Sequence, residues 1–202
     1  MRILPISILL LLAFGCASYP EKEGFTPLDT TGTNLRNPYF SDASKDYVYE
    51  ADIKAFDNSF SGIAIIKKLG VAHHRVVFTT KMGNTLFDFS FQGDALKVNR
   101  ILNDLNRKIL INILHRDFKA LITEHPPVTK TFLKANDTLW ETHILSKKHY
   151  FYASKGRLRK IVRSKSGKEK VILTFSGIRD GKADEITIDH KSIPLNIRLS
   201  SL

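Results

Sequence analysis

"RILNDLNRKILINILHRDFKALITEHPP" (residues 100–127) is the stretch on which the fold turns, because it is where a two-residue rhythm stops. At about 100° per residue Leu110, Ile111, Leu114, Phe118, Leu121 and Ile122 share one broad face, and Lys108, Asn112, His115, Arg116 and Lys119 share the other, which predicts an amphipathic helix over 106–123. Ile101 and Leu105 fall on a different face, so a kink or a separate short helix is expected near residues 103–106. Pro126-Pro127 ends the segment, since proline removes a backbone donor and clashes with the preceding turn. A helix with so wide an apolar face must be buried, and the concave side of a curved sheet is the natural place.

The flanking sequence supplies that sheet. Tyr47, Tyr49, Ala51, Ile53 and Ala55 alternate with Val48, Glu50, Asp52 and Lys54, and after a turn at Asp57-Asn58 the chain runs back through "SFSGIAIIKKL" as a hairpin. Further strands are predicted at 74–80, 85–91 and 95–99 before the helix. After it they follow at 138–145, 149–154, 157–163, 169–177, 184–190 and 195–200. Lys155-Gly156, Ser166-Gly167 and Asp180-Gly181 mark tight turns between the later strands. The expected fold class is mainly β (α+β): an unclosed antiparallel β-barrel of about eleven strands with a helical plug inserted after the fifth, curled because strand twist accumulates.

The chain begins differently. Its 202 residues are 43% hydrophobic and 25% charged, the composition of one globular domain with a tail. Arg2 precedes an apolar run from Ile3 to Phe14, shorter than the roughly 20 residues a membrane-spanning helix needs, so residues 1–15 read as a signal peptide. The single cysteine follows at once, and "LLAFGC" resembles the lipobox of bacterial lipoproteins, in which the cysteine is acylated and becomes the first residue. An ordinary secretory signal is the alternative, but a lone spare thiol is unusual in an oxidising compartment. Residues 16–45, rich in Pro, Gly, Thr, Ser and Asn, read as the acylated Cys16 and a flexible tether that reaches about 30 Å. Leu35, Tyr39 and Phe40 are its candidates for docking on the domain at 46–202.

A lipobox, a tether, a meander beginning "YVYEADIKAF", a helix after the fifth strand and a closing pair "DEITIDHKSIPLNIRLSSL" together resemble the LolA and LolB lipoprotein-localisation fold, in architecture and strand order more than in motifs. That resemblance covers 46–202 and is nearest to the LolB-like lipoproteins. It implies a half-barrel around a hydrophobic cavity, lipid attachment at Cys16, and an address in the bacterial cell envelope. Ala17-Ser18, in place of an aspartate after the cysteine, favours the outer membrane. The function it implies is a membrane-anchored lipoprotein that binds an acyl chain or other lipophile, in lipid or lipoprotein handling. The alternative is a non-enzymatic structural or interaction subunit of an envelope assembly with a filled core. LolB carries an exposed apolar residue on an early loop; here the loops at 57–59 and 69–73 offer only Leu69 and Val71.

Two sets of residues carry the functional expectations. The first is "TLFDFSFQG" (85–93), which puts Phe87, Phe89 and Phe91 on one strand face. With Ile53, Ile66, Phe78, Trp140, Leu114 and Phe118 they read first as plain core and, as the alternative, as candidate cavity-lining residues. The second is charge. Residues 147–170 hold ten Lys or Arg against Glu169 alone, in a chain of formal charge +11. In a regular strand Arg157, Arg159 and Arg163 share one face, continued by Lys165 and Lys168 at the turn, and that row faces a membrane, faces a protein partner, or only protects a solvated edge. Export argues against nucleic acid despite the sign. His73 and His74 point to opposite strand faces, His143 and His149 lack a third ligand, and His190 reads as a surface or rim residue, so neither a metal nor another cofactor is expected. No G-x-S-x-G, H-E-x-x-H or phosphate-loop pattern is present, and Asp184-Glu185 split across strand faces, so no catalytic residue and no enzyme activity is expected.

Overall fold

The computed structural model describes residues 17–29 and 35–202. The predicted signal peptide at 1–15 and the predicted lipid-attachment residue Cys16 lie outside the described residues. In chain order the elements are a short helix α1 (Tyr19–Lys22), β1 (Thr26–Leu28), β2 (Asp46–Ala55), β3 (Asn58–Gly70), β4 (His73–Thr79), β5 (Thr85–Gln92), β6 (Ala95–Ile101) and a 3-10 turn (Asn103–Leu105). Helix α2 (Lys108–Ile122) comes next, then β7 (Val128–Lys134), β8 (Asp137–Ile144), β9 (Lys147–Ser154), β10 (Arg157–Lys165), β11 (Lys168–Arg179), β12 (Lys182–His190) and β13 (Leu195–Ser201).

All thirteen strands join one antiparallel sheet in the order β1-β7-β8-β9-β10-β11-β12-β13-β2-β3-β4-β5-β6, so β2 pairs with β13 and the sheet stays unclosed, with β1 and β6 as its edges. The architecture is the one the sequence predicts, with two more strands. β7 was missed because "VTKTFLK" places its apolar Phe132 and Leu133 side by side instead of alternating them. β1 was missed because it is three residues long and contains Pro27, which a strand tolerates at a sheet edge. The helix follows the meander β2 to β6, but because β1 precedes it, the plug comes after the sixth strand rather than the fifth.

One face of the sheet closes around α2. Phe87 of β5, Phe118 of α2, Phe151 of β9, Phe175 of β11 and Ile197 of β13 belong to a single buried cluster, so the helix touches strands from both halves of the sheet. The helix buries Leu110, Ile113, Leu114, Phe118, Ala120, Leu121 and Ile122, close to the predicted face, but Ile109 is left 70% exposed. On the other sheet face a smaller cluster joins Leu139, Tyr150 and Val162 to Tyr19 and Phe25.

That second cluster changes the reading of residues 16–45 as a flexible tether. Its described parts are packed on the domain. The Tyr19 ring lies tilted against Tyr150 at 4.9 Å and its hydroxyl donates to Glu169, and β1 pairs with β7 through Pro27 opposite Phe132. Leu35, Tyr39 and Phe40 dock on the interior cluster as expected. Tyr39 stacks at 4.4 Å on Phe175 and donates a 2.6 Å hydrogen bond to the Leu158 carbonyl. Asn37, fully buried, donates through Nδ2 to the Leu121 and Thr123 carbonyls and so satisfies acceptors that the end of α2 leaves open. Isolated anchors of this kind have no periodicity, so a composition reading takes them for linker.

Candidate binding cleft

The nine predicted cavity-lining residues come together, but as a packed core. Ile53, Ile66, Phe78, Phe87, Phe89, Phe91, Leu114 and Phe118 are all at most 5% exposed. Phe87 lies 4.6 Å from Phe89 in a stacked pair, 5.5 Å from Phe78 and 5.8 Å from Phe118, so the rings fill the space between β5 and α2 with one another. Trp140 is half-buried against the same cluster, with its indole Nε1 lacking a partner. Of these nine, Phe91 borders a cavity of about 480 Å³ beside Ile122 and Glu124.

The open space lies elsewhere, at one end of the half-barrel. A cleft of about 720 Å³ is walled by the β8–β9 turn, the β10–β11 turn, the β12–β13 turn, one side of α2 and the N-terminal Ser18-Tyr19. Its charged lining is Arg116, Lys147, Lys148, Arg163, Lys165 and Lys170, with no carboxylate among the described residues that line it. Ile113, Ile193, Tyr19 and Tyr150 give it an apolar floor.

Local structure accounts for this convergence. Leu145 and Ser146 both take positive φ, as do Ser166 and Gly167, so the two hairpins turn tightly and bring Lys147 and Lys148 beside Lys165. A bulge at Arg159 breaks the regular alternation of β10: Leu158 pairs with Ala153, and Lys160, two residues on, pairs with Tyr152. Arg163 therefore falls on the inner side with Ile161, next to α2, while Lys160 faces outward over the Tyr152 ring. The predicted single row of arginines is thus divided. Arg157 lies at the far end of β10 in a separate cavity with Arg36 and Arg179, Arg159 occupies the bulge, and Arg163 and Lys165 line the cleft with Lys168 paired opposite Lys165. Arg116, Lys147, Lys148 and Lys170 were not singled out from sequence. The count of basic residues over 147–170 contained three of them, but only the strand register shows which ones converge.

Beneath the cations is a buried polar layer. His190 Nε2 lies 2.7 Å from Asp117 Oδ2, each side chain 2% exposed, so His190 is not the surface residue that one reading made it, although it does line the cleft at this end of the half-barrel. The reason is a partner 73 residues away on α2. His149 is buried with Nδ1 2.8 Å from the Lys147 carbonyl; an acceptor there makes Nδ1 the protonated nitrogen, and burial holds the ring's pKa down to about 4. Tyr150 donates to Glu141, and burial together with that carboxylate pushes its hydroxyl well above the ordinary range.

The two arginines are the least satisfied groups of the cleft. Arg116 and Arg163 each have a buried Nε with no hydrogen-bond partner. Burial lowers the Arg163 pKa; Asp117 acts in the opposite sense and Arg116 adds to the lowering. Lys148 has an ion pair, 3.2 Å to Glu141; Arg116, Lys147, Arg163, Lys165 and Lys170 have none among the described residues.

The first described residues, 17–22, are fastened to this site. Lys22 donates to the Gly167 carbonyl at 3.1 Å, and the Ala17 carbonyl sits so close to the β10–β11 turn that a Cβ on Gly167 would come within 2.6 Å of it. Ala17 and Lys22 thus both meet the β10–β11 turn that walls the cleft.

Among the described residues no group of three His, Cys, Asp or Glu side chains is placed to hold a metal, and no helix is long and apolar enough to cross a membrane. His143 and His149 are one rung out of step: Thr142 is the residue opposite His149.

No protein-family model matches the sequence, and no curated protein matches it. Solved structures do. A LolA superfamily protein of Nitrosomonas europaea aligns over 81% of this chain and 87% of its own, with 12% identity and a TM-score of 0.49. A domain described as an outer membrane lipoprotein-sorting protein, from Vibrio parahaemolyticus, aligns over 77% of this chain and 83% of its own, with 13% identity and a TM-score of 0.48.

Proposed function

We propose that this chain is a non-enzymatic binding module of the bacterial envelope, tethered to the outer membrane through an acylated Cys16, in which the half-barrel is a filled scaffold and an anion is recognised at the basic cleft. The observation that carries this reading is the pairing of a packed interior with an open cleft of about 720 Å³ lined by six cations and no carboxylate. A concave site lined by one sign of charge focuses its field and raises the local concentration of counter-charge. Five of the six cations lack an ion pair, so an anion gains their attraction without breaking an existing bridge.

Carriage of an acyl chain against the Phe87 stripe is the competing reading. It requires α2 to lift away and Leu114, Phe118 and Leu121 to give up buried contacts. Titration of the isotopically labelled protein with sodium pyrophosphate, followed by amide spectra, separates the two. Anion recognition predicts saturable shifts confined to residues 146–149, 163–170 and 190–193. Shifts at 87–91 and 110–121 with a fatty-acid probe, and none with pyrophosphate, would replace this reading with acyl carriage.

A further inference from the structure

Resting on that reading, we infer that the anion of the cleft is the phosphate of an anionic phospholipid in the leaflet that holds the proposed anchor. Three features point there independently. The first is place. Ser18 and Tyr19 line the cleft and Ala17 abuts the Gly167 turn, so the segment that follows the proposed attachment residue is itself seated on the cleft.

The second is donor chemistry. Two guanidinium groups, Arg116 and Arg163, line the cleft; such forks match an anion of several oxygens better than a point charge does, and Lys165 and Lys170 add point charges beside them. The third is the mixed lining. A bare inorganic anion has no use for Ile113, Ile193 and the Tyr19 and Tyr150 rings, whereas a phosphate ester with its first few methylenes engages both kinds of surface. The volume is in the range of roughly 300–1,000 Å³ typical of small-molecule sites, large enough for a glycerophosphate headgroup.

The test uses the full mature protein in non-ionic detergent, titrated calorimetrically with dihexanoyl phosphatidate, dihexanoyl phosphatidylcholine and sodium phosphate. Phosphatidate is expected to bind at least tenfold more tightly than either of the others. That preference should fall at least tenfold in Lys165→Glu with Lys170→Glu, the first exposed and the second half-buried, and in Arg163→Gln. Arg157→Glu with Arg179→Glu, at the opposite end of the half-barrel, should leave it unchanged. Equal affinity for phosphate and phosphatidate would overturn the lipid assignment and leave anion recognition standing. Equal affinity for phosphatidylcholine, whose phosphate is balanced by a choline cation, would show that the cleft does not read an anionic headgroup, which overturns it too. Indifference to the Lys165, Lys170 and Arg163 changes would place the lipid elsewhere, and absence of binding by all three ligands would remove both this inference and the reading it rests on.

Discussion

Replacing Phe89 with alanine is the direct measure of whether the interior is filled. Phe89 is fully buried and stacked on Phe87, which in turn touches Phe78 and Phe118. A buried aromatic side chain removes about 150–250 Å² from water, which at about 25 cal/mol per Å² is an upper bound of roughly 4–6 kcal/mol. Alanine keeps part of that burial and the unfolded chain is already partly compact, but the stack is lost and a void remains, so a loss of about 3–5 kcal/mol is expected. With a urea slope near 2 kcal/mol per M the unfolding midpoint should fall by roughly 1.5–2.5 M, read by circular dichroism at pH 7.5. Ser90→Ala, on the opposite face of β5, loses one exposed hydrogen bond from Asn99 and serves as the control. A loss under about 1.5 kcal/mol for Phe89→Ala would mean that the rings already border empty space, and the filled-scaffold reading would fall with it.

Two further outcomes follow from the same coordinates. His149 has a folded pKa of about 4 against an unfolded value near 6.5: above pH 6.5 both states are neutral, and on acidification the unfolded chain takes up the proton first. Stability is therefore lost between pH 6.5 and 4, by about 2 kcal/mol at pH 5, with buried His74 contributing in the same direction. Urea midpoints at pH 7.5 and pH 5 check this, and His149→Phe should flatten the difference; a wild-type protein more stable at pH 5 would contradict it. Gly62→Ala puts a Cβ 1.9 Å from the Thr79 carbonyl oxygen, a backbone atom of the neighbouring strand, so a stability loss of at least about 2 kcal/mol or failure to fold is expected. An unchanged thermal midpoint would show that β3 and β4 separate more easily than their register suggests.

The sequence announces the parts of this fold that repeat. Alternation from Tyr47 to Ala55 marks β2, the shift to a helical period after Arg100 marks α2, and Gly156, Gly167 and Gly181 mark hairpin turns. What it conceals is set by single contacts. The face of Arg163 depends on one extra residue at Arg159, which a period of two cannot register, and the burial of His190 depends on Asp117 arriving from α2. The Phe87 stripe shows the inside of the sheet at once, but whether the inside is hollow depends on how completely α2 fills it, and that is a matter of packing rather than pattern. The basic cleft was half visible: its charge was countable, and its membership required the register of four strands and a helix.

The N-terminal strap has one more consequence, in time rather than space. The Thr26 hydroxyl donates to the carbonyl of Leu133, 107 positions later, and Tyr19 meets Glu169 after 150. During synthesis the strap is thus among the first segments made and cannot find its seat until nearly the whole sheet exists. Closing so long a loop carries an entropic cost that only the assembled surface can offset. Tyr19 and Phe25 stay uncovered until late, and their docking, by covering the free side of β7, would act as the latch that marks the domain as finished.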